Sequence, residues 1–199
     1  MYRNSFLWVA ILVIALGNFL FATWAQDLFM PAIPYTAAIV VPWLVLSLVL
    51  CCSSSEASGL KFSFSVVRER WKVLGGFAIL ICAGLGLFLL LGFDRYFQAV
   101  RYPILFFVWI PIIEELLFRG WIFGKLKELA AHPIIVSSLL FSLHHLQYHH
   151  FHISLFVLFQ LAYTFILGLI LGKMRSASGS VYIGILLHVL INWLTLYTA

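Results

Sequence analysis

Charge is what this sequence has least of. Only 10% of its 199 residues are Asp, Glu, Lys or Arg, while 64% are hydrophobic, and the mean hydropathy is +1.08. A soluble domain is usually about 25% charged and about 45–50% apolar, so a soluble globular fold is excluded. At roughly 20 apolar residues per span, the length suits a single domain (1–199) of about six to eight transmembrane helices. No room is left for a separate soluble domain. The expected fold class is all-α, a polytopic membrane helix bundle.

Cysteine is scarce too. Cys51, Cys52 and Cys82 make an odd count without paired spacings, which argues against a disulfide framework or a zinc ribbon. All three fall in or beside apolar runs, as small buried residues do. The vicinal pair at a span end is a candidate for acylation. Internal repeats and low-complexity tracts are lacking.

Apolar runs between polar punctuation predict seven spans, near 5–24, 33–52, 73–93, 104–126, 133–148, 153–172 and 180–198. The first has too long a run for a signal peptide, and no clean small-x-small cleavage site follows it. With alternating spans, one side holds Arg3, Lys61, Arg68, Arg70, Lys72, Lys125, Lys127, Lys173 and Arg175. The other holds Arg95 and Arg101. The positive-inside rule then places the N-terminus in the cytoplasm and the C-terminus outside, in a multi-pass cell-membrane protein. The long loop 53–72 reads as a basic amphipathic helix on the inner leaflet. The bilayer is the expected surroundings, and nucleic acid is not expected as a partner.

Against this scarcity, the fourth span ("FFVWIPIIEELLFRGWIFGKL", 106–126) carries Glu114, Glu115 and Arg119 in its middle. Each such charge costs about 3 kcal/mol at the membrane centre on insertion scales, so intramembrane charges mark function by default. In an α-helix Glu115 and Arg119 stand at i and i+4, acid first, the better order for an ion pair. Glu114 lies about 100° around the helix and outside that pair. Burying a carboxylate without a partner makes it a stronger base, which suits general-base catalysis.

Two later spans add polar groups. "SSLLFSLHHLQYHHFH" holds His144 and His145 deep in the span, with His149, His150 and His152 toward the outer interface. "GILLHVLINWL" places His188 and Asn192 at i and i+4 on one face. At 1.5 Å per residue, Glu114 lies about 15 Å from the outer end of its span, and His145 about 18 Å from the inner end of its own. His188 and Asn192 lie about 12 and about 18 Å from the inner end of the last. In a hydrocarbon core of about 30 Å, all four converge near the midplane. One site built from three helices is therefore expected.

Several routes to peptide hydrolysis inside a membrane are missing. No glutamate directly follows any histidine, so there is no H-E-x-x-H zinc motif, and Asp27 and Asp94 lie in loops rather than spans. A rhomboid-like serine would need G-x-S-G, whereas "SASGS" (176–180) has Ser176 where that glycine belongs and puts Ser178 at the membrane edge. There remain a glutamate and a histidine to activate water, with donors for an oxyanion.

"EELLFR" (114–119), "FSLHH" (141–145) and "HVLIN" (188–192) read as E-E-x-x-x-R, F-x-x-x-H and H-x-x-x-N. Their order, spacing and placement on successive helices resemble the CPBP family, the CAAX-protease and bacteriocin-processing (Abi) intramembrane peptidases. The resemblance covers about residues 104–199 as a catalytic core, with 1–103 as N-terminal helices. It implies an intramembrane endopeptidase with Glu114 as general base and His145 orienting the same water. It further implies His188 and Asn192 as oxyanion donors, with Glu115 and Arg119 supporting the geometry. The expected substrate is a membrane-associated peptide or protein cut near its C-terminus, prenylated or carrying a sorting signal. The chain stops directly after the H-x-x-x-N helix, as expected of a short prokaryotic member. No cofactor is expected, and zinc on Glu114, Glu115, His145 and His188 is the alternative. Two other classes compete. A non-catalytic membrane immunity or scaffold protein would be free to lose Glu114 or His145. A small proton-coupled transporter would use the same buried acids but lacks a repeat or paired broken helices.

Overall fold

The computed structural model describes residues 2–16, 108–129, 131–146 and 152–197, with helical positions 45–47, 49, 50, 79, 83 and 90. Among the described residues every regular element is helical. Helix α1 is Tyr2–Leu16. Helix α2 (Ile110–Glu115), a π-helical segment (Leu116–Ile122) and α3 (Phe123–Glu128) follow one another with helical backbone at both junctions. Helices α4 (Pro133–His144), α5 (Leu155–Ser178) and α6 (Tyr182–Tyr197) complete the order. Pro133 sits in the first turn of α4, after the non-helical His132, where a missing N–H costs nothing.

The expected spans from the fourth to the seventh coincide with these elements, and α1 covers the start of the first. Most of 33–52 and 73–93, and all of loop 53–72, Cys51, Cys52, Cys82, His149 and His150, lie outside the described residues. Helix α5, with 24 residues, is about 36 Å long. Among the described residues it is the one helix long and apolar enough to cross a bilayer, with α4 and α6 as shorter apolar helices. The count of seven spans rests on sequence alone.

Apolar side chains cover the outside of the described helices as well as filling their core. Ile135, Leu139 and Leu143 form an exposed stripe along α4, and Leu186 and Leu190 one along α6. The rest of α4 buries Ser137, Ser138, Ser142 and His144. In lipid, apolar surface gives helices little drive to associate, so close backbone approach and interhelical hydrogen bonds do the joining. Helices α4 and α5 meet in this way, antiparallel. A Cβ on Gly168 would lie 2.8 Å from Ser138 Cβ, and one on Gly172 would lie 3.3 Å from Ile134 Cγ2. Further along the same seam Ser142 Oγ donates to the Leu161 carbonyl at 2.7 Å. Gly168 and Gly172 thus form a G-x-x-x-G seam.

The ends of α5 explain its length. Ser154 Oγ accepts the Val157 N–H at 3.2 Å, an N-cap. Gly179, at φ 69°, closes the other end in the left-handed conformation, which glycine adopts without a Cβ penalty. Ser178, the residue of the rhomboid-like alternative, spends its hydroxyl in the next turn, donating to the Ser180 carbonyl and accepting the Ser180 N–H, both at 3.0 Å. From α1, Ile11 packs into a buried cluster with Leu116, Phe118, Trp121, Phe141 and Val181. The N-terminal helix packs against α4 and joins the cluster that holds the π-helical segment.

Candidate active site

Four elements bring the polar residues together. Glu114 and Glu115 end α2, Arg119 lies in the π-helical segment, His144 and His145 close α4, and His188 sits midway along α6. All six side chains are buried. A π-helical stretch inside an α-helix is uncommon and is often found at functional sites. Here it carries Leu116–Ile122, so the simple α-helical phase expected for this span does not hold beyond Glu115.

The two glutamates face different partners. Glu115 Oε1 accepts from Arg119 Nη1 at 2.9 Å and from His188 Nδ1 at 3.1 Å. The ion pair expected from the spacing therefore forms, and α6 joins it. Arg119 is clamped from its other side, its guanidinium carbon 4.1 Å from the centre of the Phe141 ring, a cation–π contact. Its backbone is held as well, because Arg175 Nε donates to the Arg119 carbonyl at 2.9 Å. Sequence reading counted Arg175 among the basic loop residues of the inner side. The structure instead turns it into the bundle, where it is buried.

Glu114 is not without partners either. His144 Nε2 lies 3.8 Å from its Oε1 and His188 Nε2 lies 3.7 Å from its Oε2. His145, the residue at the F-x-x-x-H position, is one residue on. Its Nδ1 lies 2.9 Å from the Phe141 carbonyl, to which it donates, leaving Nε2 as the ring's other polar atom. Phe141 joins the site together, with edge contacts to Phe118 at 5.4 Å, His145 at 4.9 Å and His188 at 5.6 Å between ring centres. Asn192 is half-buried one turn beyond His188 on the same face. Among the described residues it makes no hydrogen bond to the acid pair.

Sequence reading missed two participants. One is His144, whose ring faces Glu114. The other is Gly184, one turn before His188: a Cβ there would lie 2.7 Å from Glu115 Oε2. Only the absence of a side chain lets α6 approach the carboxylate so closely. The motif run "GILLH" contained the signal, since Gly184, His188 and Asn192 share one face at i, i+4 and i+8. A zinc site needs about three protein ligands around the ion. Among the described residues no three His, Cys, Asp or Glu side chains are so gathered.

Residues 96–194 match the family described as Type II CAAX prenyl endopeptidase Rce1-like. Proteins of that family are membrane-embedded endopeptidases that act on membrane-associated protein substrates. No curated protein and no solved structure matches the chain.

Proposed function

We propose that this chain, which belongs through residues 96–194 to the CAAX-protease family, cleaves a membrane-associated peptide or protein near its C-terminus with water activated by Glu114. One observation carries the reading: the adjacent glutamates are treated differently. Glu115 is pinned by a guanidinium and an imidazole at hydrogen-bond distance, whereas Glu114 presents each oxygen to an imidazole across a wider gap. The first is a structural carboxylate. The second is placed to exchange a proton.

In the proposed reaction, water attacks the scissile carbonyl carbon and gives its proton to Glu114. The carbonyl oxygen becomes an oxyanion. When the C–N bond breaks, Glu114 returns the proton to the leaving amine, so that peptide and water become acid and amine. The histidine pair ending α4 supplies the imidazole that orients the water, His145 being the motif position. His188 and Asn192 are the oxyanion donors. Glu115 engages His188 Nδ1, which leaves Nε2 as the ring atom to meet the oxyanion. The reading is metal-free.

The substrate class is a peptide tail that is prenylated or carries a sorting signal, entering from the bilayer. The chain sits as a multi-pass bundle with its N-terminus cytoplasmic. Moving Arg175 out of the loop count leaves the basic excess on the same side. The test is hydrolysis, by the full-length protein in liposomes, of a fluorogenic peptide ending in a prenylated cysteine and three further residues. Glu114→Gln keeps the size of the side chain but removes the base, and should abolish cleavage while leaving insertion and unfolding unchanged. Most of the activity surviving in Glu114→Gln rules out Glu114 as the base.

A further inference from the structure

We infer that His144, a residue that no motif requires, is a positioning residue for Glu114 and holds the attacking water against the Oε1 side of its carboxylate. This rests on the reading of Glu114 as the general base. His144 Nε2 and Glu114 Oε1 are 3.8 Å apart, and both side chains are buried. A direct hydrogen bond would be about 2.7–3.2 Å. A single water bonded to both atoms at about 2.8 Å closes a triangle over the observed separation. Such a water donates one O–H to Oε1 and accepts the His144 Nε2–H. Its second lone pair is then free to meet the scissile carbon.

The ring is fixed where this requires. His144 stands edge-on to Phe118, ring centres 5.2 Å apart, and Phe118 is itself buried in the π-helical segment. The neighbouring His145 ring is nearly perpendicular, at 84° and 6.1 Å, so the two histidines address different directions. His188 covers the other oxygen of Glu114 at 3.7 Å. Each carboxylate oxygen thus faces an imidazole, from α4 on one side and α6 on the other. Packing against Phe118 would be met equally well by a phenyl ring. A buried imidazole whose Nε2 turns toward a carboxylate is the more specific arrangement.

His144→Phe separates the two roles, since it keeps the ring contact with Phe118 and removes Nε2. On the prenylated fluorogenic peptide, His144→Phe should lower kcat by roughly 100-fold, the scale of a positioned proton-transfer group, with KM within about twofold. His144→Gln, whose amide N–H donates at similar reach, should recover part of that loss. A second measurement needs no turnover: ¹⁵N NMR of histidine-labelled full-length protein in micelles. The resonance that disappears in His144→Phe should change its titration midpoint in Glu114→Gln. His144→Phe with wild-type kcat, or a midpoint untouched by Glu114→Gln, overturns the inference. A Glu114→Gln protein that still cleaves while His144→Phe does not would remove the parent reading instead.

Discussion

His188 Nδ1 lies 3.1 Å from Glu115 Oε1, the same oxygen that Arg119 Nη1 approaches at 2.9 Å. One carboxylate oxygen therefore ties α2 to the π-helical segment that follows it and to α6, across 73 residues of chain. Removing one partner from a buried ion pair leaves the other charge uncompensated, at about 3–5 kcal/mol. Glu115→Gln and Arg119→Met should each lower stability on that scale, with activity falling alongside. The double variant should lose less than the sum of the two, because neither charge is then stranded. Reversible unfolding in mixed micelles measures all four proteins of the cycle. Simple additivity would contradict the contact.

Gly184→Ala tests the close approach of α6. The new Cβ would meet Glu115 Oε2 at 2.7 Å, and that carboxylate cannot swing aside without leaving Arg119 and His188. Activity should drop by at least about tenfold, while overpacking costs about 1–3 kcal/mol of stability. Combining Gly184→Ala with Glu115→Ala relieves the clash, so the pair should be more stable than additivity predicts. Kinetics and unfolding on the same preparations would decide.

Gly168→Ala addresses the fold alone. Its Cβ would lie 2.8 Å from Ser138 Cβ and 3.0 Å from Ser138 Cα, which no side-chain rotation relieves. The α4–α5 seam should open, with a loss of about 1–3 kcal/mol in unfolding free energy. Gly172→Ala faces only the Ile134 side chain at 3.3 Å and should cost clearly less. Equal effects at the two positions would argue against the seam.

Metal dependence is a separate question. If carboxylate and imidazole alone activate the water, protein purified in chelator should keep its activity, and added zinc should not raise it. As oxyanion donors, His188 and Asn192 should each cost roughly 100- to 1,000-fold in kcat when changed to alanine. Under a zinc mechanism His188→Ala would lose bound metal and activity together, whereas Asn192→Ala would lose little of either. Elemental analysis beside the kinetics separates the two patterns.

Local composition and spacing determined a good deal here. The scarcity of charge and the length of the apolar runs set a helical membrane protein, because lipid admits few unpaired backbone or charged groups. The i, i+4 spacings of Glu115 with Arg119 and of His188 with Asn192 follow from helix geometry, and depth counting placed Glu114 and His188 at one level. Rotation of each helix about its axis was left open. On α4 the exposed stripe is Ile135, Leu139 and Leu143, and His144 and His145 flank the opposite side about 100° apart. Periodicity therefore cannot say which ring turns to Glu114. The α4–α5 seam at Gly168 and Gly172 sets that rotation. The π winding of Leu116–Ile122, the burial of Arg175 on the Arg119 carbonyl and the need for glycine at 184 likewise depend on neighbours distant in sequence. Those contacts are set by interhelical packing, which no local pattern encodes.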